Sequence, residues 1–249
     1  SSYPPTQLGA GIADQLGSLN MVIGILSALH FRNRTGKGQE ISVDLMSALL
    51  QHQLQEFVAV LNLNQEFERP DSGVGHPGSG APFGIYKTKD DYITIAVASL
   101  EDLSEILNDE GLKKYSEGPS GAMGSDLQIK KRDEIFHYIE NLTKNYTTDL
   151  LDKKLSEKGC WSAPLKTHKQ VFDDPQVKHM KMFSTFNHNK YGEVQTVSPA
   201  VKMSETPTKI SRPVPMIGEH GFEILREFGY SDEEINNFVK NEIMSIEQP

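Results

Sequence analysis

The chain has 249 residues, enough for one to two domains of about 100–200 residues each and for a sizeable core. With 37% hydrophobic and 24% charged side chains it has the composition of a folded chain, not a disordered one. Its net charge of −9, from 25 basic and 34 acidic residues with no dense basic run, argues against nucleic acid as a partner.

Residues 1–8 read as an extended lead-in, because Pro4 and Pro5 exclude helix there. Asp14 is a good N-cap residue ahead of an apolar helical pattern. Leu16, Leu19, Ile23, Leu26 and His30 share one stripe, and Val22, Ile25 and Leu29 widen it. A helix apolar on most sides is expected to be buried. Gly17 and Gly24 lower its propensity, which predicts a close approach by another backbone or a ligand. Arg32 and Arg34 suit the negative end of the helix dipole, and Thr35-Gly36-Lys37-Gly38 then ends the helix. The apolar run Met21–Leu29 is too short for a membrane span, so no membrane is expected as partner.

The alternation of Gln39–Val43 predicts a short strand, and Leu45–Leu63 returns to helical spacing. Helix, strand, helix is an α/β layer unit. Composition then shifts. A polar linker and the glycine-rich segment Gly73–Gly80 mark a domain boundary. Phe83–Thr88 and Tyr92–Ala98 read as a hairpin around Lys89-Asp90-Asp91. Helices are expected over Leu100–Asn108, Ile129–Leu142 and Thr148–Lys158, with residues 113–128 as loop.

Cys160 is the one cysteine, which excludes an internal disulfide framework and points to a reducing, cytoplasmic compartment. With Trp161 it reads as a packed pair, not a reactive thiol. Two short helices follow, over Thr167–Val171 and after Asp173-Asp174-Pro175. A β pair over Phe183–Val201 turns at Tyr191-Gly192. Residues 204–217, with three prolines, run extended. Two last helices are expected, about Glu219–Phe228 and from Ser231 on, where Ser231 and Glu234 form a capping box. His168, His179, His188 and His220 lack metal-ligand spacing, so no metal is assigned.

Four stretches carry a resemblance. The first runs from Ile12-Ala13-Asp14 through Gly24–Leu29 to Arg34-Thr35-Gly36-Lys37-Gly38-Gln39. The second is His76-Pro77 with Ala81–Thr88. The third is Ala163-Pro164 with Asp173–Val177, and the fourth is Ser204–Pro207 with Pro215–His220, Ile224 and Leu225. In this order they resemble the class III CoA-transferase family, which includes formyl-CoA and carnitine-CoA transferases and the α-methylacyl-CoA racemases. One departure is Asp90-Asp91, where the family usually has Asp-Gly.

The resemblance implies an α/β fold: part of a Rossmann-like large domain, residues 1–65 and 182–249, with an inserted small α+β domain, residues 66–181. It implies a catalytic Asp14, the nucleophile in CoA transfer from an acyl-CoA thioester to a carboxylic acid acceptor through an aspartyl-CoA thioester. CoA and acyl-CoA are then substrates, and no cofactor is bound permanently. Gly78, Ser79 and Gly80 match the family's glycine loop, expected to close over the reacting thioester. Lys37 is a candidate contact to a CoA phosphate. His76 is assigned a structural hydrogen bond and Arg34 a helix-dipole role. The racemase branch implies a second activity, with the same Asp as acid/base partner of a histidine upstream of Ser1. Complete family members carry another α/β half ahead of that position. The chain is therefore expected to be the C-terminal portion of an enzyme, in an interlocked homodimer or with a partner N-terminal chain. A non-catalytic fragment or subunit is the third reading.

Overall fold

The computed structural model describes residues 8–63, 70, 76, 78–116 and 125–245. The expected lead-in falls almost wholly outside them. The chain divides into two compact units, Ser1–Leu165 and Lys166–Pro249.

The first unit opens with α1 (Ile12–Thr35), whose N-cap is Gly11 and which makes no side-chain cap hydrogen bond. Asp14 is therefore the third residue of the helix and not its cap. Gly36, in the left-handed region at φ 74°, ends the helix where the sequence placed the turn. The expected strand over residues 39–43 does not form, and residues 37–44 are irregular. Among the described residues no strand pairs with this segment, and Ile41 packs on α1 instead. A Cβ on Gly24 would lie 2.9 Å from Ile41 Cγ2, and one on Gly17 would lie 2.8 Å from Leu45 Cδ2. The two glycines thus serve the close approach that their low propensity predicted.

The expected helix over 45–63 is divided into α2 (Leu45–His52) and α3 (Leu54–Leu63) at Gln53, with neither glycine nor proline at the break. Asp44 caps α2 by accepting the Ser47 N–H at 2.8 Å. The expectation that the first helix is buried is corrected. Of the α1 residues only Gly17 is buried, while Leu19, Ile23 and Leu26 are about 60% exposed. By length and composition α1 could cross a membrane; Gln15, Ser18, Asn20 and Ser27 punctuate its surface.

The core of this unit lies further on. Strands β1 (Gly84–Lys87), β2 (Tyr92–Val97) and β3 (Trp161–Pro164) form an antiparallel sheet in that order. Alternation sends Tyr86, Ile93 and Ile95 to one face, where all three are fully buried. They share one cluster with Leu103 of α4 (Leu100–Leu107), Ile135 of α6 (Arg132–Thr143) and Leu151 of α7 (Thr148–Glu157). Each such aliphatic side chain contributes about 1.5–3 kcal/mol on burial. Tyr86 also stacks on Phe136 with ring centroids 4.6 Å apart. A 3-10 helix (Glu110–Tyr115) and α5 (Asp126–Lys130) occupy most of the described part of the stretch read as loop.

The second unit holds α8 (His168–Asp173), α9 (Pro175–His179) and the hairpin β4 (Phe183–His188) and β5 (Gly192–Val197). Residues 201–215 carry no helix or strand, as their prolines require. Two helices, α10 (Gly221–Glu227) and α11 (Asp232–Lys240), follow. The Ser231–Glu234 capping box forms as read. The fold is thus mixed helix and sheet. Among the described residues every strand pairing is antiparallel.

Candidate active site

Asp14 stands exposed on the first turn of α1. Gly17, Ser18 and Met21 follow it at i+3, i+4 and i+7, so the four residues share one helix face. Val43 and Leu45, from the segment folded back onto α1, form the opposite wall. Together they line an open groove of about 430 Å³. The walls are mostly apolar, and the carboxylate supplies the charge.

Three local features act on that carboxylate. Gly11 gives no capping side chain, so the Ala13 and Asp14 N–H groups have neither an intrahelical acceptor nor a side-chain cap. The positive end of the helix dipole therefore lies beside the side chain. Gly11 also leaves space for it: a Cβ there would lie 3.0 Å from Asp14 Oδ2. The Ser18 hydroxyl bonds the backbone and not the side chain of Asp14, donating to its carbonyl at 2.8 Å. Among the described residues no ion pair engages the Asp14 side chain.

The glycine triplet sits elsewhere in the same unit. Gly78 N–H donates to His76 Nδ1 at 3.1 Å, and the Ser79 N–H donates to the His76 carbonyl at 3.1 Å. Ser79 is 2% exposed. Gly80 lies against α5, where an added Cβ would meet the Gln128 backbone at 2.9 Å. On its other side the His76 ring reaches α3: Nε2 lies 3.0 Å from Glu56 Oε1. An imidazole that accepts through Nδ1 carries its proton on Nε2, so the ring donates to Glu56. Backbone hydrogen bonding at Glu56, and then the bond from His76, hold that carboxyl below its ordinary value. The structural role expected of His76 is the role it has.

The remaining candidates are not gathered with Asp14. Lys37 is exposed beyond the far end of α1, on the order of 30 Å away along the axis. Its N–H donates to Thr35 Oγ1 at 3.2 Å. Arg34 lies in the last turn, in the dipole position. Burial raises the Cys160 thiol above its ordinary value, with Asp102 adding to the effect. That favours packing over reactivity for Cys160, but Trp161, expected to pack with it, is 68% exposed at the start of β3. Among the described residues no group of His, Cys, Asp and Glu could hold a metal.

Sequence reasoning missed two parts of this arrangement. The i, i+3, i+4, i+7 spacing from Asp14 was readable and would have given one wall of the groove. The Glu56–His76 bond joins residues 20 positions apart, and no local pattern signals it.

Comparison with known proteins identifies the family of the chain. The model of CoA-transferase family III matches residues 1–221. A formyl-CoA:oxalate CoA-transferase from Streptomyces coelicolor is 28% identical over 250 residues, covering 93% of this chain and 60% of that protein. A human succinyl-CoA:glutarate CoA-transferase is 28% identical over 251 residues, covering 94% of this chain and 53% of that protein. Among solved structures, a CAIB/BAIF family protein from Brucella suis aligns with a TM-score of 0.69 at 28% identity, over 91% of this chain and 57% of that one. Rv3272 from Mycobacterium tuberculosis, at 17% identity and a TM-score of 0.68, shares the fold. The chain spans between about half and three-fifths of the length of these relatives.

Proposed function

This chain belongs to CoA-transferase family III, and from that premise we propose that it takes part in CoA transfer between carboxylic acids, with Asp14 as the covalent nucleophile. The observation that carries the reading is an unpartnered carboxylate beside the uncapped N-terminus of α1, in a groove walled by Val43 and Leu45.

The chemistry balances without metal or ATP. An Asp14 oxygen attacks the thioester carbonyl carbon. The C–S bond breaks, giving a mixed anhydride and CoA thiolate. The thiolate attacks the aspartyl carbonyl, the anhydride C–O bond breaks, and the donor acid leaves as its carboxylate. Asp14 is then a CoA thioester, and the acceptor carboxylate reverses the sequence. Each step is an acyl substitution easier than direct exchange between two anions. The uncapped N–H groups at the helix start are suited to a developing oxyanion.

The anhydride and the thioester both hydrolyse, so water must be kept out. In this reading Gly78-Ser79-Gly80 is the closing segment, and its movement releases Gly78 N–H from His76. Lys37 would meet a phosphate only of a ligand held along α1 or of one bound by another polypeptide. The Rossmann-like large domain, with residues 1–65 and 182–249 around a small domain of 66–181, is part of the same proposal. It requires residues beyond this chain.

A second reading is favoured by one observation. The apolar side chains of α1 to α3 are exposed, among them Leu19, Ile23, Leu26, Met46, Leu54 and Leu61, in a chain about three-fifths the length of its relatives or less. Here the chain is a subunit that becomes active when a second polypeptide, or a second copy, covers that face.

One experiment separates the two. The 249-residue chain is incubated with an acyl-CoA, quenched with hydroxylamine, and the peptide containing Asp14 is analysed by mass spectrometry. A hydroxamate or CoA adduct on Asp14, absent in Asp14→Asn, is expected for the first reading. An adduct that forms only after a complementary polypeptide is added selects the second. No adduct under either condition overturns the nucleophile.

A further inference from the structure

The second unit contains a cavity that the reading of Asp14 does not use. It has a volume of about 370 Å³, within the range of roughly 300–1,000 Å³ common for small-molecule sites. Its charged lining is one-sided: Lys181, Lys202, Lys209 and the imidazole of His179, with Ser184, Ser198 and Thr208 between them. No acidic side chain lines it, in a chain whose acids outnumber its bases by nine.

The hydrogen bonds leave donors to spare. Lys202 Nζ donates one bond, to the Met180 carbonyl at 2.9 Å, which fixes the ammonium at the wall and leaves two N–H groups. The Ser184 and Ser198 hydroxyls lie 2.6 Å apart. One donates to the other, so a single proton remains for a ligand. Thr208 uses its proton on the Val201 carbonyl at 3.0 Å. Among the described residues Lys181 and Lys209 make no ion pair. Two free ammonium groups and one tethered one exceed what a lone carboxylate, with about four lone-pair sites, can accept.

Lys181 adds an independent sign. It ends α9 in the left-handed region at φ 53°. Its N–H bonds the Lys178 carbonyl at 3.1 Å, and the Met182 N–H bonds the Val177 carbonyl at 3.2 Å. Helices that end in this way usually place glycine there, because a Cβ is unfavourable. A lysine at this position forgoes that backbone advantage and brings an ammonium to the cavity.

We propose that the cavity among His179, Lys181, Lys202 and Lys209 is a binding site for a phosphate-bearing anion. It does not rest on the role of Asp14. The lysines neutralise the anion, the spare serine proton and lysine N–H groups bond its oxygens, and the αL turn holds Lys181 in place. Two sources carry this chemistry: a free phosphate compound, or the phosphates of CoA itself.

The test is calorimetric titration of the 249-residue chain at low ionic strength with inorganic pyrophosphate, malonate and CoA. Pyrophosphate is expected to bind at least tenfold more tightly than malonate. Lys181→Gly is expected to weaken it at least tenfold while leaving Tm equal or higher, since glycine suits the left-handed turn. That variant therefore removes binding without unfolding the unit, and Lys209→Gln serves as the second probe. CoA affinity falling in parallel assigns the site to the phosphates of CoA. CoA affinity unchanged assigns it to a free phosphate compound. Both support the site. Undetectable pyrophosphate binding, malonate binding of equal strength, or affinity unaffected by both substitutions overturns it.

Discussion

His76 Nε2 lies 3.0 Å from Glu56 Oε1, while Nδ1 of the same ring accepts the Gly78 N–H at 3.1 Å. A single imidazole thus ties helix α3 to the start of the glycine segment. His76→Ala removes both bonds, and faster amide exchange at Gly78 and Ser79 is expected, with the β1–β2 sheet protected as before. Glu56→Gln keeps an acceptor but loses the charge. It should give a smaller change at the same two amides. The Glu56 carboxyl is held below its ordinary value. Its contribution is therefore full above pH 4.5, the ordinary value, and fades as pH falls through the lower folded-state value. Hydrogen exchange followed from pH 7 to pH 3 checks the direction. Protection at Gly78 that rises on acidification would contradict it.

Gly11 and Asp14 give the second prediction. Gly11 has φ −75°, which alanine also adopts, so Gly11→Ala should fold normally. Its methyl, however, would lie 3.0 Å from Asp14 Oδ2 and force the carboxylate to turn. A misplacement of about 1 Å costs a reacting group on the order of 10²-fold in rate. The expected result is an unchanged circular dichroism melt with aspartyl hydroxamate formation reduced at least tenfold. Adduct formation at the wild-type rate would show that Asp14 does not react from this position.

The sequence was most legible where a signal was local and self-contained. The capping box of Ser231 and Glu234, the hairpin around Lys89–Asp91, the stop at Gly36 and the helix start after Asp173-Asp174-Pro175 each lie within a few residues, and each formed. What failed depended on distant partners. Residues 39–43 alternate like a strand, but a strand needs a neighbour to bond, and Ile41 found Gly24 of α1 instead. The apolar stripe of α1 predicted burial, because periodicity reports what a helix could cover and not what covers it. The Asp14 groove was half visible. Its α1 wall follows from spacing, but its Val43 and Leu45 wall depends on a chain reversal that no motif encodes.

Gly17 and Gly80 should respond oppositely to alanine. At Gly80 the added Cβ meets backbone atoms, the Gln128 carbonyl carbon at 2.9 Å and the Ile129 nitrogen at 3.0 Å. Backbone cannot rotate aside, so Gly80→Ala should destabilise the chain by about 1–3 kcal/mol, the range for overpacking. At Gly17 the Cβ meets only Leu45 Cδ2, the far end of a side chain that is 50% exposed and free to turn. Alanine also gains up to about 1 kcal/mol of helix propensity there. Gly17→Ala should therefore melt at the wild-type temperature or above it, while its methyl narrows the Asp14 groove and weakens acyl-CoA binding. Equal melting temperatures for the two variants would refute the packing described for Gly80.

Asp90 stands where the family's hairpin usually turns with Asp-Gly, and the structure gives its carboxylate a task. Oδ1 accepts the Thr148 N–H at 2.8 Å and the Thr148 hydroxyl at 2.8 Å, 58 residues downstream. Helix α7 begins at Thr148, and its own N-cap, Thr147, makes no side-chain cap hydrogen bond. Asp90 thus caps that helix from the hairpin and pins β1 and β2 to it. The Thr148 backbone and side-chain bonds hold its carboxyl below the usual value of 3.8. By the sign of that shift, its stabilisation is complete above pH 3.8 and is lost as pH falls through the lower folded-state value. Asp90→Ala should lower Tm at pH 7 by clearly more than Asp91→Ala, whose backbone carbonyl accepts the Thr88 N–H at 2.9 Å and survives the substitution. The gap between the two variants should narrow as the melts are repeated toward pH 3, because the wild-type carboxylate is then protonated. A gap that stays constant across that range would mean that Asp90 acts by packing and not by charge-assisted capping.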